Sequence, residues 1–216
     1  MSRIWRILFF PKQIFTELRE NESSFIPLAL LLTCGALCMA LIAYVEGVEF
    51  NMSDLEHLQI ETEQEAIAIG TTRATAAIVG LILFVFGIVG GLLTLATYYW
   101  VAGKSFQSEN RWTHWFAFAC WSAAPVIFWS ISTGALVLLI GVEYKHGLAP
   151  LTWLGIDHPW AELLNVALLW TIFISVQGLR CWGSQRLSTS TIIVLVSYVL
   201  YILLGSFYMT TMDLGS

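Results

Sequence analysis

The chain of 216 residues is 57% hydrophobic and 12% charged, with a mean hydropathy of +0.74. That balance excludes a water-soluble globular domain, and a net charge of −5 argues against a nucleic-acid partner. The composition is that of a polytopic membrane protein, whose connections are too short to hold a soluble catalytic domain.

The first residues read as a segment of their own, dividing the chain into an amphipathic cytoplasmic part, 1–22, and a helical membrane domain, 23–216. At 100° per residue, Ile4, Ile7, Leu8, Pro11, Ile14, Phe15 and Leu18 fall within about 120° of arc, while Arg3, Arg6, Lys12, Glu17 and Arg19 flank or oppose it. The pattern predicts an amphipathic helix, divided at Pro11, lying in the membrane interface with Ile14, Phe15 and Leu18 against lipid and Arg19 among the headgroups. Docking on a protein partner is the competing reading of the same face. A cleavable signal peptide is not expected, because the first apolar run begins only at Phe25 and is long enough to be retained.

Five apolar stretches follow, each near or above the ~20 residues that cross a ~30 Å hydrocarbon layer as helix: Phe25–Val45, Ala74–Val101, Trp115–Ile140, Trp160–Leu179 and Ser190–Thr210. Lipid offers no hydrogen-bond partner to the backbone, so each must be helical and the fold class is an all-α bundle of five transmembrane helices. In the second, Gly87 and Gly91 form a G-x-x-x-G pair, with Gly80 on nearly the same face, which predicts close approach of another helix, from this chain or a second one. In the third, Pro125 lacks a backbone donor and predicts a kink.

Eight of the ten Lys and Arg residues (Arg3, Arg6, Lys12, Arg19, Lys104, Arg111, Arg180, Arg186) fall on one side of this layout and two, Arg73 and Lys145, on the other. The N-terminus is therefore expected in the cytoplasm and the C-terminus outside, across the inner membrane if the source is bacterial. Seven acidic residues between Glu46 and Glu65 crowd the first outer connection. Trp100, Trp112, Trp115 and Trp182 are expected at the inner interface, Trp153 and Trp160 at the outer one.

An intramembrane enzyme or proton-coupled carrier needs ionisable groups well inside a span, and none lies near the centre of these five. His158 and Glu162, one turn apart beside Asp157, are the nearest approach to an acid/base or metal pair, and a helix-entrance cap accounts for them. Asn165 and Gln177 are the polar side chains most able to form an intramembrane site, although interhelical hydrogen bonds also explain them. Cys34, Cys38, Cys120 and Cys181 avoid the outer connections, so no disulfide is expected, and neither a metal nor a cofactor is.

The run Phe10-Pro11-Lys12-Gln13-Ile14-Phe15-Thr16-Glu17-Leu18-Arg19-Glu20, with Pro27 opening the first span, resembles the start of the Yip1 domain in its bacterial form. Trp121-Ser122-Ala123-Ala124-Pro125 resembles the segment ending in proline of that family's third span, and Gly178-Leu179-Arg180 the end of its fourth. The resemblance implies a cytoplasmic N-terminus, five transmembrane helices, and partners among membrane proteins or further copies of the chain. Eukaryotic members are implicated in vesicle traffic and associate with Rab GTPases. This chain lacks their long N-terminal region and an Asp-Leu-Tyr-Gly-Pro motif, which leaves Rab binding doubtful. The function expected is that of a non-enzymatic scaffold, adaptor or membrane organiser; the alternative is a transporter or channel component for small solutes or ions, whose mark would be Pro125, Asn165 and Gln177 facing one cavity.

Overall fold

A computed structural model describes residues 3–20, 23–57, 63–141, 165–183 and 185–213. Among these the ordered elements are all helices: α1 (Arg3–Phe9), α2 (Pro11–Glu20), α3 (Phe25–His57), α4 (Glu63–Ser105), α5 (Trp112–Ser122), α6 (Ala124–Ile140), α7 (Val166–Gly183) and α8 (Leu187–Asp213). Among the described residues four stretches are long and apolar enough to cross a membrane: Phe25–Val45, Ile78–Ser105, Trp112–Ile140 and Val166–Gly183. The expected fifth falls within α8, of which Leu187–Leu200 is a shorter described apolar stretch. The first two spans run on as helix into the acidic connection, α3 to His57 and α4 back to Glu63. At 1.5 Å per residue, the 43 residues of α4 reach about 65 Å, roughly twice the hydrocarbon thickness.

The third apolar stretch is two helices. Ala123 sits at φ −78°, ψ 0° between them; its N–H donates to the Ala119 carbonyl at 3.1 Å, and its own carbonyl accepts from Val126 at 3.0 Å. Pro125 lies in the first turn of α6, where its missing N–H costs least, and it cannot supply the bond that would have continued α5. α4 ends in a paired closure: Ser108 N–H to the Gly103 carbonyl at 3.0 Å and Gln107 N–H to the Lys104 carbonyl at 3.1 Å. This places Gln107 at φ 57°, a left-handed position usually taken by glycine.

α5 is the hub. One side carries Trp115, Phe118 and Trp121 into a cluster with Ile14, Phe15, Tyr99, Leu179, Trp182 and Val194, drawn from α2, α4, α7 and α8. The other side carries Ala119 and Cys120 toward Leu31, Leu92, Ala96 and Ile127, between α3, α4 and α6. α8 is tied in by Tyr98 Oη donating to the Ile193 carbonyl at 2.8 Å and by the Tyr99 and Ser197 hydroxyls at 3.2 Å.

The close approach expected at Gly80, Gly87 and Gly91 is not made by any described part of this chain. A Cβ on any of them, or on Gly90, would meet no described atom within 4 Å, so that face of α4 is open. The close approaches are at other glycines: Gly35 under Phe84, Gly103 under Trp115, and Gly178 under Phe15 and Phe118. A G-x-x-x-G spacing permits close packing, but whether a neighbour arrives depends on how the helices pack.

Candidate functional site: the docked N-terminal helix pair

α1 and α2 bend at Phe10, whose N–H still reaches the Arg6 carbonyl at 2.7 Å, while Pro11 starts the second helix at the position that needs no donor. Across the bend, Glu17 accepts from Arg6 Nη2 at 2.6 Å and pairs with Arg3 Nε at 3.5 Å. These groups are about one-third exposed, so the pairs set the angle of the bend more than they stabilise it, at about 1 kcal/mol or less each.

The expectation that Ile14, Phe15 and Leu18 face lipid is corrected by the structure. All three are fully buried within the protein, together with Pro11 and Ile7, while Arg19 is exposed. The Phe15 ring lies 4.9 Å from Phe118 and edge-on to Trp182 at 6.1 Å, in the space left by Gly178, where a Cβ would come within 2.5 Å of the Phe15 ring. An apolar helix face is satisfied equally by lipid or by protein, and sequence periodicity does not distinguish them.

Three indoles fasten the pair. Trp170 Nε1 donates to the Leu8 carbonyl at 3.3 Å, Trp182 Nε1 to the Phe15 carbonyl at 2.7 Å, and Trp121 Nε1 to the Ser23 carbonyl at 2.6 Å. Leu8 is in the last turn of α1 and Ser23 precedes α3, so two of these acceptors have no helical donor of their own. The Thr16 hydroxyl and the Cys181 thiol meet at 3.3 Å beside them. Trp115 and Trp182, expected at the interface, are therefore core residues, and Trp121 joins them. The signal in the sequence was small residues near helix ends that clear room for rings, Gly103 for Trp115 and Gly178 for Phe15 and Phe118.

The polar candidates do not converge. Asn165 is not inside a span: its side-chain oxygen accepts the Leu168 N–H at 2.9 Å and caps the start of α7. Gln177 lines a cleft of about 440 Å³ with Phe9, Phe10, Lys12, Gln13 and Phe173. Pro125 lines a different one of about 270 Å³, with Phe9, Phe128, Trp129, Ser132 and Trp170. His158 and Glu162 lie outside the described residues. Among the described residues no three His, Cys, Asp or Glu side chains come together as a metal site would require, and the four cysteines are free thiols.

Helices long and apolar enough to cross a bilayer, closed at one end by an aromatic layer, make this a multi-pass integral membrane protein. The Yip1 domain matches residues 5–210, nearly the whole length, and the chain belongs to that family. The match begins inside α1, so the docked helix pair is part of the domain. Neither curated proteins nor solved structures gave a match.

Proposed function

We propose that the protein is a non-enzymatic membrane scaffold or adaptor that assembles with a further copy of itself or another membrane protein through the open glycine face of α4. The observation that carries this reading is that face itself. Leu83, Phe86, Gly87, Gly90 and Thr94 share one side of the helix and are exposed, and none of its glycines meets a described neighbour. Small residues let a second backbone approach closely, and in lipid that approach, not apolarity, distinguishes a helix interface from a lipid-facing surface. Asn165 is taken up as the cap of α7 and does not line the clefts that Gln177 and Pro125 line, which favours a scaffold over a carrier, because a carrier binds its solute where such groups converge.

The reading includes five crossings, with α8 as the fifth, the N-terminus in the cytoplasm and the C-terminus outside, from the asymmetry of basic residues. Reporter enzymes active only outside the cytoplasm, attached after Ser108, Gly147, Ser184 and Ser216, should be active at 147 and 216 and silent at 108 and 184. To test the scaffold, Thr94→Cys, on the same exposed face, in a background without the four native cysteines should crosslink in native membranes, to a species of twice the mass or to a mixed adduct. Absence of any adduct, with the protein inserted and labelled by maleimide, would remove the proposed interface.

A further inference from the structure

Val166, Trp170, Phe173 and Gln177 follow one another on α7 at steps of four, three and four residues, which places them along one face. The two clefts beside α7 follow one another along this face, with Phe9 lining both. Taken in succession they form an interrupted groove that extends along the helix from residue 166 to 177, about 17 Å at 1.5 Å per residue. That is close to the ~15 Å of one leaflet's hydrocarbon.

The groove changes character along its length. At the Val166 end it is apolar, with Trp170 and Phe173 each a little under half exposed at its mouth. At the other end stand Gln177, Gln13 and Lys12, and Arg180 follows Gln177 by one turn on the same side of α7. Arg3 and Arg6 are engaged by Glu17, whereas among the described residues Lys12 and Arg180 form no ion pair. The polar end also coincides with the start of a membrane span. The carbonyl of Ser23, two residues before Phe25, is held by Trp121 on α5, and Phe118 one turn earlier on α5 meets Gly178. The groove thus starts beside the level at which α3 enters its apolar stretch and runs inward from there.

We propose that this groove is a binding site for one anionic phospholipid of the leaflet on the α2 side, with its phosphate on Lys12, Arg180 and the Gln177 amide and one acyl chain laid along Phe173, Trp170 and Val166. The order of charge, amide and hydrocarbon along the groove matches the order along that molecule. A single flexible acyl chain can follow two small clefts in succession, whereas a straight helical segment ~10 Å across needs one wide groove. The site is independent of the α4 face.

The test is native mass spectrometry of the full chain, purified in detergent and offered equimolar phosphatidylglycerol and phosphatidylcholine with the same acyl chains. One phosphatidylglycerol should be retained with a preference of about tenfold or more. Lys12→Glu should reduce that preference about fivefold and Lys12→Glu with Arg180→Glu about thirtyfold, as expected for one and two cations at an anionic headgroup. Ser132→Trp, at an exposed position of the apolar cleft, should weaken retention of both lipids. Circular dichroism and an unchanged unfolding midpoint establish that each variant is folded; Lys12 is exposed, so its single variant stands as the test if the double variant does not fold. Equal retention of the two lipids by the wild type, or a preference undiminished by Lys12→Glu, overturns the proposal. So does displacement of the lipid by soluble glycerol phosphate at the same concentration, which would make the site one for phosphate alone.

Discussion

The end of the bundle that holds α1 and α2 and the open face of α4 use the same residue type in opposite ways. Gly178 and Gly103 are small because Phe15, Phe118 and Trp115 already occupy the space a side chain would need. Gly80, Gly87, Gly90 and Gly91 are small with no described atom against them. At the first region glycine serves internal packing that is complete within one chain. At the second it leaves backbone accessible, which is of use only to a neighbour. A glycine in a membrane helix is therefore interpretable only once its surroundings are known.

The comparison breaks most directly at Phe15. Phe15→Ala removes a fully buried ring from the centre of the aromatic layer and should cost about 3–5 kcal/mol. Unfolding in mixed micelles measures that loss, and limited proteolysis should find the first 20 residues newly cleavable while the spans stay protected. A variant as stable as wild type would mean that α1 and α2 are not docked in solution.

Gly178→Val tests the same contact from the other side. Its Cβ would lie 2.5 Å from the Phe15 ring and 2.6 Å from the Phe118 ring, so one helix must move, at about 1–3 kcal/mol. Combining it with Phe15→Ala should recover part of the loss, because the two changes share one space. Strict additivity of the unfolding free energies would place the clash elsewhere.

Trp182→Phe keeps the ring in the cluster but withdraws the indole donor from the Phe15 carbonyl, and about 1 kcal/mol should be lost. Trp170→Phe should lose less, since its bond to the Leu8 carbonyl is longer, at 3.3 Å, and lies at an exposed position. Hydrogen exchange at the amides of α1 and α2 resolves the difference.

The smallest effect belongs to the open face. Gly87→Ala meets no described atom, so the monomer should change by no more than about 0.5–1 kcal/mol, toward greater stability through helix propensity. Crosslinking between copies or partners through α4 should weaken. A large destabilisation of the isolated monomer would erase the contrast with Gly178.

Much of the architecture was legible along the chain. Four of the expected spans overlap helical stretches of spanning length because a bilayer imposes both length and apolarity, and both are properties of a sequence read in windows. The break near Pro125 was legible for a related reason: the missing donor is a local fact. The candidate site was less so. Asn165 was read as lying within a span because the apolar run continues before it, whereas α7 begins just after it and uses it as a cap. The indole contacts of Trp121, Trp170 and Trp182 join residues about 100 to 170 positions apart and leave no local trace.

By itself the sequence determined that the protein is a helical membrane protein of the Yip1 family, that its N-terminal segment is amphipathic, and that eight of its ten basic residues fall on one side of the expected layout. Those properties rest on periodicity, length and composition, which any window of the chain carries. Only the tertiary structure decided that the apolar face of α2 is covered by α5 and α7 instead of lipid, that Gly178 and not Gly87 is the tight contact, and that Asn165 caps α7 instead of joining Gln177 or Pro125 in a cleft. The physical reason is that lipid and a neighbouring helix are equally apolar. The choice between them depends on shape complementarity and on donors such as the three indoles reaching carbonyls far away in the chain, which only the packed arrangement brings together.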